Sequence, residues 1–326
     1  MKEYDIKLFK RRNMSSLFII GNGFDIAHGI PTKYRDFREF IIKSYPEAIK
    51  YRDEVTFIED IADIDTEEFA AEILLSTMDK VAGDDWSNFE EALAYVNFDH
   101  KFPLPNHKEN ETEEEDNELM KNYLLYMDML ASGYIACSKY WQELFRLWIK
   151  EVQAHIEENM FATKESLKEL FASPNTFFLT FNYTKTLQCL YGIKKVVHIH
   201  NRSGQKLIFG HGQNNATYWN TAEKVVIGSS FLDDMLMSFK KDTVSPFKKY
   251  NDFFKKLDST VDAVYSYGFS YGKVDGVYIK EIIKRISPEA TWYFTSFESQ
   301  DKNSLRIKKI KLRNYGFKGT FGEYLG

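Results

Sequence analysis

The chain has 326 residues, of which 44% are hydrophobic and 28% are charged, and this composition excludes a disordered chain, a collagen-like repeat and a membrane helix bundle. Its net charge of -5 argues against a protein that grips nucleic acid over its whole surface. Cys137 and Cys189 are the only cysteines, so neither a disulfide framework nor a cysteine-ligated zinc module is expected, and a reducing cytoplasm is favoured.

The N-terminal segment has no predicted targeting signal. Its basic residues are followed by only a short apolar run, Leu17 to Ile20, which is too short for the hydrophobic region of a secretory signal. No later stretch approaches the roughly 18 apolar residues that a membrane span needs. We therefore expect a cytoplasmic protein without a membrane segment, in which Met14 is an alternative start and residues 1–13 form a polar extension.

The first predicted element is a buried strand at Leu17 to Ile20, which ends in the tight turn Gly21-Asn22-Gly23. Apolar residues then recur at helical spacing from Asp36 to about Phe161. The acidic run from Glu109 to Glu118 interrupts this region and is predicted to be a solvated loop. After it, residues 119–160 predict a helix with a break at Ser132-Gly133.

Beyond Pro174 the pattern changes to short apolar runs that predict strands separated by helical segments. Strands that alternate with helices favour a mainly parallel sheet covered on both faces. We therefore predict an α/β protein with a Rossmann-like doubly wound domain formed by residues 14–35 and 170–326, with a helical insertion at 36–169. The predicted strands are Thr176 to Phe181, Val196 to His200, Leu207 to Phe209, Val261 to Tyr267 and Thr291 to Phe294.

The glycine turn after the first strand has two interpretations. Backbone amides without side chains can cradle a phosphate at a helix start, and this position after a strand suits such a site. However, Ile26 stands where the dinucleotide fingerprint has its third glycine, and the Gly-Lys-Ser/Thr of a phosphate loop is absent. A plain strand-to-helix turn therefore remains open.

The string from Gly21 to Pro31, GNGFDIAHGIP, is similar to the sirtuin nucleotide-binding signature, in which Gly-x-Gly is followed by Gly-Ile-Pro. In its particular form, with Asp25 and His28, it resembles the AbiH family of bacterial abortive-infection proteins, which are grouped with sirtuin-like folds. Further segments resemble AbiH motifs in the same order along the chain, although Asn201 departs from the family's glycine. These segments are Trp86 to Glu90, Thr180 to Thr184, His198 to Asn201, Phe209 to Gly212, Lys241 to Thr243, and Tyr267 to Ser270 with Asp275.

The resemblance implies a pocket whose catalytic residues are Asn182 and His200. Asn182 would hold a ribose hydroxyl or a water, and His200 would serve as the general base or as a ribose partner. Structural alternatives stay open: Asn182 or Asp25 as a helix cap, and His200 as a hydrogen-bonded core histidine. The binding residues implied are Gly21, Asn22, Gly23, Phe24, Asp25, His28, Thr180, Gly268 and Ser270.

Two further histidines lie near these motifs. His198 and His200 alternate with Ile199, so on a strand both point to one face. No role comes with His198, which is as readily a core residue. His211, between two glycines, is a candidate for the same pocket or an ordinary loop residue.

The resemblance implies an anti-phage effector that binds a nucleotide, NAD foremost, and hydrolyses its glycosidic bond. Without four cysteines the chain lacks the structural zinc of sirtuin deacylases, so protein deacylation is not expected. The apolar helix from Tyr140 to Trp148 is either core or a face for a homo-oligomer or a partner defence protein.

Two other functions remain open. One is a metal-dependent nuclease that uses Asp25, His198, His200 and His211, favoured by the basic segment from Arg306 to Arg313. That segment is otherwise an edge strand guarded by lysines. The other is a non-catalytic nucleotide sensor that acts with a partner.

Overall fold

The computed structural model describes residues 15–50, 66–83, 85–96, 113–216, 229–257 and 259–326. Met14 and residues 1–13 lie outside these ranges. Within them, no helix is long and apolar enough to cross a membrane. The described helices are α1 (Gly23–Ala27), α2 (Tyr34–Ser44), α3 (Glu47–Lys50), α4 (Thr66–Val81), α5 (Phe89–Ala92), α6 (Glu113–Glu158), α7 (Glu165–Phe171), α8 (Thr186–Tyr191), α9 (Ser229–Ser238), α10 (Ser245–Lys249), α11 (Asn251–Lys256), α12 (Gly276–Arg285), α13 (Ser296–Gln300) and α14 (Lys302–Asn314).

The described strands form one six-stranded sheet in which every neighbouring pair is parallel, which confirms the predicted α/β class. Their order in the sheet is β3-β2-β1-β4-β5-β6. This is the order of doubly wound dinucleotide-binding folds, whose ligands lie outside the carboxyl ends of the strands where the winding reverses, here between β1 and β4. The strands are β1 (Ser15–Ile20), β2 (Thr176–Thr180), β3 (Val197–His198), β4 (Val261–Tyr267), β5 (Thr291–Thr295) and β6 (Thr320–Tyr324).

The chain divides into two compact units. Unit 1 comprises residues 1–32, 149–208 and 242–326, and unit 2 comprises residues 33–148 and 209–241. All six strands belong to unit 1, whereas unit 2 contains helices such as α4 and α9. Residues 209–241 therefore group with residues 33–148, which contain α2 to α5 and most of α6. The predicted insertion at 36–169 remains a prediction.

Unit 1 has a hydrophobic core on each side of the sheet because β1 alternates its side chains between the two faces. Leu17 and Ile19 pack into a cluster with Tyr278 of α12. Phe18 and Ile20 pack into a second cluster with Phe24 of α1. Both faces of β1 are thus buried, as the continuous apolar run predicts.

Unit 2 is built around aromatic residues. The segment Trp86 to Glu90 contributes Trp86 and Phe89, which are fully buried and stacked with ring centroids 5.5 Å apart. Glu90 accepts a hydrogen bond from the buried Lys241 ammonium at 2.7 Å, so two of the AbiH-like segments meet here. On α6, Trp141, Leu144, Phe145 and Trp148 are buried, so within this unit they are core residues.

Two sequence predictions about the middle of the chain are wrong. Residues 113–118 of the acidic run form the first turns of α6 instead of a loop, while residues 109–112 lie outside the described ranges. The helix also continues through Ser132-Gly133 without a break. A single glycine costs a helix only about 1 kcal/mol, and the buried aromatic face farther along α6 offsets that cost.

Two predicted strands also differ. Leu207 to Phe209 is irregular backbone: Leu207 and Phe209 are buried and Ile208 is half-buried, but the amide of Ile208 bonds to the carbonyl of His200 outside the sheet. The basic segment Arg306 to Arg313 is helix α14 and not an edge strand. Its start is set by Asp301, whose carboxylate accepts hydrogen bonds from the amides of Asn303 and Ser304. The edge strand is β6, which follows it.

Candidate functional site

The glycine turn after β1 packs directly against the turn after β4. A Cβ atom on Gly21 would lie 2.5 Å from the Gly268 carbonyl oxygen, and one on Gly23 would lie 2.6 Å from the Gly268 Cα. Gly268 itself has a φ of 61°, in the left-handed region that favours glycine. These three glycines therefore allow two backbone segments to touch at the point where the winding of the sheet reverses.

The amides of this turn are used in the same contact. Gly21 N–H donates to the Tyr267 carbonyl at 2.9 Å, and Gly23 N–H donates to the Gly268 carbonyl at 3.0 Å. The Asn22 side chain donates to the carbonyl of Thr32 at 2.6 Å. In this structure the turn therefore directs the chain from β1 into α1, and the two glycine amides are already hydrogen-bonded within the protein.

An open cleft of about 970 Å³ lies at the carboxyl ends of β1, β4 and β5. Its walls include Gly23 and Ala27 of α1, Gly268 and Ser270 after β4, and one flank of α14. Lys164, Lys308 and Lys311 also line it, together with Glu298 and Asp301. The volume falls within the range of about 300–1,000 Å³ that small-molecule sites occupy. The position matches the ligand crevice expected for this strand order.

A buried polar cluster surrounds Asp25 of α1, and its side chains are not among those that line the cleft. Asp25 is fully buried, and its Oδ2 accepts a hydrogen bond of 2.5 Å from the Thr184 hydroxyl, which is 2.9 Å from the Thr186 hydroxyl. Burial raises the pKa of the Asp25 carboxyl to about 6, although the hydroxyls of Thr184 and Thr186 and the nearby amide of Asn182 oppose the rise. Asp25 lies inside α1 and does not cap it.

Asn182, just after β2, has a side chain that the protein leaves without hydrogen bonds. It is 5% exposed, and among the described residues neither Nδ2 nor Oδ1 has a partner, although the amide lies near enough to Asp25 to lower its pKa. Oδ1 of Asp25 also lacks a partner among them. Thr180 fixes the backbone around Asn182, because the Thr180 hydroxyl accepts a hydrogen bond from the Asn182 N–H at 3.1 Å. The helix that follows, α8, takes no cap from Asn182.

Orphaned atoms of this kind require an explanation, since each buried donor or acceptor without a partner costs about 1–3 kcal/mol. Asn182 and Asp25 together present one donor and two acceptors beside the carboxyl edge of the sheet. This combination suits a ligand that carries adjacent hydroxyl groups.

His28 and Phe24 are integrated into the core of unit 1. Phe24 is fully buried and packs edge-to-face on Tyr267 with centroids 5.2 Å apart. His28 Nδ1 lies 2.7 Å from the Phe24 carbonyl and therefore carries the proton, so Nε2 accepts from the Tyr191 hydroxyl at 2.7 Å. Burial lowers the pKa of His28, which favours this neutral form. Both ring nitrogens are thus occupied in orienting α1.

His198 is also a neutral, fully hydrogen-bonded histidine. Its Nδ1 lies 3.2 Å from the Asn182 carbonyl, so it is the donor, and Nε2 accepts from the Gln188 amide at 2.8 Å. Burial lowers the pKa of His198 to about 4. Strand β3 ends at His198, so the prediction that His198 and His200 project together from one strand is wrong, and the two rings bond to different partners.

Replacing His198 by glutamine should remove an acid sensitivity. The imidazole has a pKa near 6.5 in the unfolded chain and about 4 in the folded protein, so the unfolded chain binds more protons between these values and stability falls as the pH falls. Between pH 7 and pH 5 the His198 contribution alone lowers the free energy of unfolding by about 2 kcal/mol, so the wild type and His198→Gln should differ by this amount in their response to acidification. Urea unfolding at pH 7 and pH 5 measures the difference, and equal changes in the two proteins would contradict the buried neutral ring.

His200 forms a pair with Asp275. Its Nε2 lies 2.9 Å from Oδ1 of Asp275, the residue that precedes α12. The carboxylate accepts, so Nε2 carries the proton and Nδ1 keeps a lone pair, for which the described residues provide no partner. The His200 ring has two aromatic neighbours. Its centroid lies 5.4 Å from that of the Phe181 ring and 5.8 Å from that of the Tyr183 ring. A carboxylate that fixes a histidine tautomer is the arrangement of general-base pairs.

His211 belongs to unit 2 and is occupied there. Its Nε2 lies 2.7 Å from the Leu236 carbonyl, and its Nδ1 accepts from the Gln213 amide at 3.1 Å. Across the described ranges, no three His, Cys, Asp or Glu side chains are grouped closely enough to hold a metal ion. The grouping of Asp25, His198, His200 and His211 that the metal-dependent nuclease requires is therefore not observed.

The family model described as Bacteriophage abortive infection AbiH matches residues 17–296. The chain belongs to the AbiH family. The match covers β1 to β5 and the whole buried cluster at the carboxyl edge of the sheet, and family membership indicates a function in abortive infection by phage. No curated protein matches this AbiH chain.

Sequence reasoning overlooked several residues of the AbiH site. Thr186 and Tyr191 on α8 hold Asp25 and His28 in place, but neither stands out in the sequence. Asp275 was noted beside a glycine motif, without its pairing to His200. Asp275 and Thr186 lie near helix starts and Tyr191 ends α8, so these partners belong to different elements. Their residue types alone were available as a signal.

Proposed function

We propose that this AbiH protein is an anti-phage effector that binds a nucleotide, NAD foremost, in a sirtuin-like pocket at the carboxyl edge of its sheet and hydrolyses the glycosidic bond of that nucleotide. The observation that carries the proposal is the buried Asn182 amide, which has no hydrogen-bond partner among the described residues and lies beside an equally unpartnered Asp25 oxygen. A ribose diol would satisfy both groups.

The other features of this edge agree with a dinucleotide. Folds with this strand order bind their ligands between β1 and β4, and the cleft of about 970 Å³ lies there, which supports the proposal. Three lysines line the cleft and would attract phosphates, since electrostatic attraction is strong in partly enclosed sites. Gly23, Gly268 and Ser270 line the cleft, and Gly21 and Gly23 also shape it through the backbone contact described above.

The proposed reaction breaks the bond between C1′ of the ribose and the pyridinium nitrogen. The bonding electron pair goes to that nitrogen, so nicotinamide leaves as a neutral base, and a water oxygen bonds to C1′. The water proton passes to Nδ1 of His200, which has a lone pair while Asp275 holds Nε2–H. Asn182 orients the ribose hydroxyl or the water, and the ionised Asp25 stabilises the positive charge that develops on the sugar.

Incubation of the purified protein with NAD, with nicotinamide release followed by chromatography and binding by calorimetry, tests this proposal. We expect binding and release, with the release lost in Asn182→Ala. Binding without release would favour the non-catalytic sensor instead. If neither binding nor release occurs, including after addition of phage-infected cell extract, the proposal is wrong.

His200→Ala and Asp275→Asn should act mainly on kcat. Loss of a general base typically lowers the rate about 10²- to 10⁴-fold, and we expect a fall of this size in His200→Ala. Asp275→Asn keeps an acceptor for Nε2–H but removes its charge, so we expect a lower kcat with little change in KM. If kcat of His200→Ala stays within about tenfold of the wild-type value, the base is another group.

A further inference from the structure

Helix α14 has a strongly basic face. Its thirteen residues include six lysines and arginines and no acidic residue. Lys302, Arg306, Lys309 and Arg313 follow one another at intervals of four, three and four residues, which places them along a single stripe of the helix. The stripe is about 16 Å long at 1.5 Å per residue. These four side chains, with Ile310, line a groove on the protein surface.

The remaining lysines of α14 point to the opposite flank and are already engaged. Lys308 bonds to Glu298 at 2.6 Å, and Lys311 donates to the Tyr271 carbonyl at 3.0 Å. Both line the nucleotide cleft proposed above. The stripe is therefore a separate surface on the same helix.

The stripe cations have no acidic partner among the described residues. Arg313 lies 4.5 Å from the ring of Phe321 and donates to the Phe317 carbonyl, while Lys309 lies 5.5 Å from the ring of Phe321. These contacts position the charged groups without neutralising them. Lys302 and Arg306 are exposed. Cations that a fold holds close together repel one another when no opposite charges lie beside them. A bound anion or dissolved salt offsets this repulsion.

We propose that the stripe formed by Lys302, Arg306, Lys309 and Arg313 binds the phosphate backbone of a nucleic acid. The whole chain carries a net charge of -5, so this positive surface is local and attracts a polyanion to one place. Successive cations are separated by about 4.5–6 Å along the helix, a spacing that lets each one face a different phosphate. Contacts of this kind are made to the backbone and carry no base sequence information.

The structure favours a nucleic acid over an anionic membrane surface. A helix that lies in a membrane interface presents a broad apolar face to the lipid. In α14 that face is occupied, because Leu312 is fully buried and Leu305 packs against the core of unit 1. The apolar residues of the groove are Leu305, which packs against that core, and Ile310, which is 47% exposed. The available surface is therefore charged and not amphipathic.

Fluorescence anisotropy with labelled single-stranded DNA, duplex DNA and RNA oligonucleotides tests the proposal over a range of salt concentrations. Contacts to four phosphates of a duplex predict a log–log salt slope of about -3.6. The triple variant Lys302→Ala/Arg306→Ala/Lys309→Ala should bind at least tenfold more weakly and show a slope shallower by about 2.7. Arg313 is retained because its contact with Phe317 contributes to packing.

The matched control is Lys194→Ala/Lys255→Ala/Lys256→Ala, which removes the same charge from exposed positions elsewhere in unit 1. It should bind like the wild type. The proposal is overturned if wild-type protein binds no oligonucleotide, if the two triple variants lose affinity equally, or if vesicles containing phosphatidylserine bind while oligonucleotides do not. NAD is absent from the assay, so its outcome is independent of the proposed hydrolysis.

Discussion

Asn182→Leu should abolish nucleotide binding and leave the folded protein as stable as the wild type or more stable by about 1 kcal/mol. Leucine fills a similar volume, and it removes a buried amide whose two polar atoms have no partner among the described residues. If the amide serves a ligand, nicotinamide release should fall about 10²-fold or more. Urea unfolding gives the stability, and the same preparation gives the rate of release.

The same substitution at Asn201 is the matched control for stability. Asn201 donates to the Lys206 carbonyl at 2.6 Å, accepts from Lys249 at 2.5 Å and has a φ of 63°, which leucine adopts poorly. Asn201→Leu should therefore lower the free energy of unfolding by about 1–3 kcal/mol. If Asn182→Leu loses as much, the amide has a structural role that the observed contacts do not reveal.

Among the substitutions that add one methyl group to the turn after β1, Gly21→Ala should be the most destabilising. The new Cβ would lie 2.5 Å from both the Gly268 carbonyl oxygen and the Phe269 Cα, and both are backbone atoms that cannot rotate away. Overpacking of this kind costs about 3 kcal/mol, and it would also shift the two turns that form the cleft. Denaturant unfolding and calorimetric NAD binding should both show the damage.

Gly272→Ala controls for the substitution itself. A Cβ there would have its nearest heavy atom at 4.0 Å, and its φ does not lie in the left-handed region. We expect a change within about 0.5 kcal/mol. Equal midpoints for Gly21→Ala and Gly272→Ala would show that the two turns separate easily, which would contradict the packing observed between them.

Five of the six strands could be predicted to within about two residues because buried apolar side chains dominate them, as in the continuous run Leu17 to Ile20 of β1. The edge strand β6, which contains Gly322 and the exposed Glu323, could not be predicted. The other edge strand, β3, is shorter than the predicted Val196 to His200, because only Val197 and His198 belong to the sheet. In α14 the alternation of basic and apolar residues resembles a strand, and Asp301, which marks the helix start, was overlooked.

The candidate site, like the sheet, could be predicted only in part. Asn182 and His200 were predicted from their positions at strand ends and from a family resemblance, and the structure places both at the carboxyl edge of the sheet. Their surroundings could not be predicted. Asp275 follows His200 by 75 residues, and Thr184 follows Asp25 by 159, so these contacts exist only after the sheet has assembled. The same assembly occupies the glycine amides that the sequence had suggested for phosphate.

The polar cluster around Asn182 contains two buried groups whose titrations oppose each other. Below pH 6 the folded protein takes up a proton on Asp25 more readily than the unfolded chain does, so acidification stabilises it through this residue. Over the same interval acidification destabilises it through His198. The effects of Asp25 and His198 on the free energy of unfolding therefore largely cancel. A wild-type stability that stays level from neutral to mildly acidic pH would conceal two opposing pKa shifts. A variant without the His198 imidazole should become more stable as the pH falls, whereas a variant without the Asp25 carboxyl should become less stable.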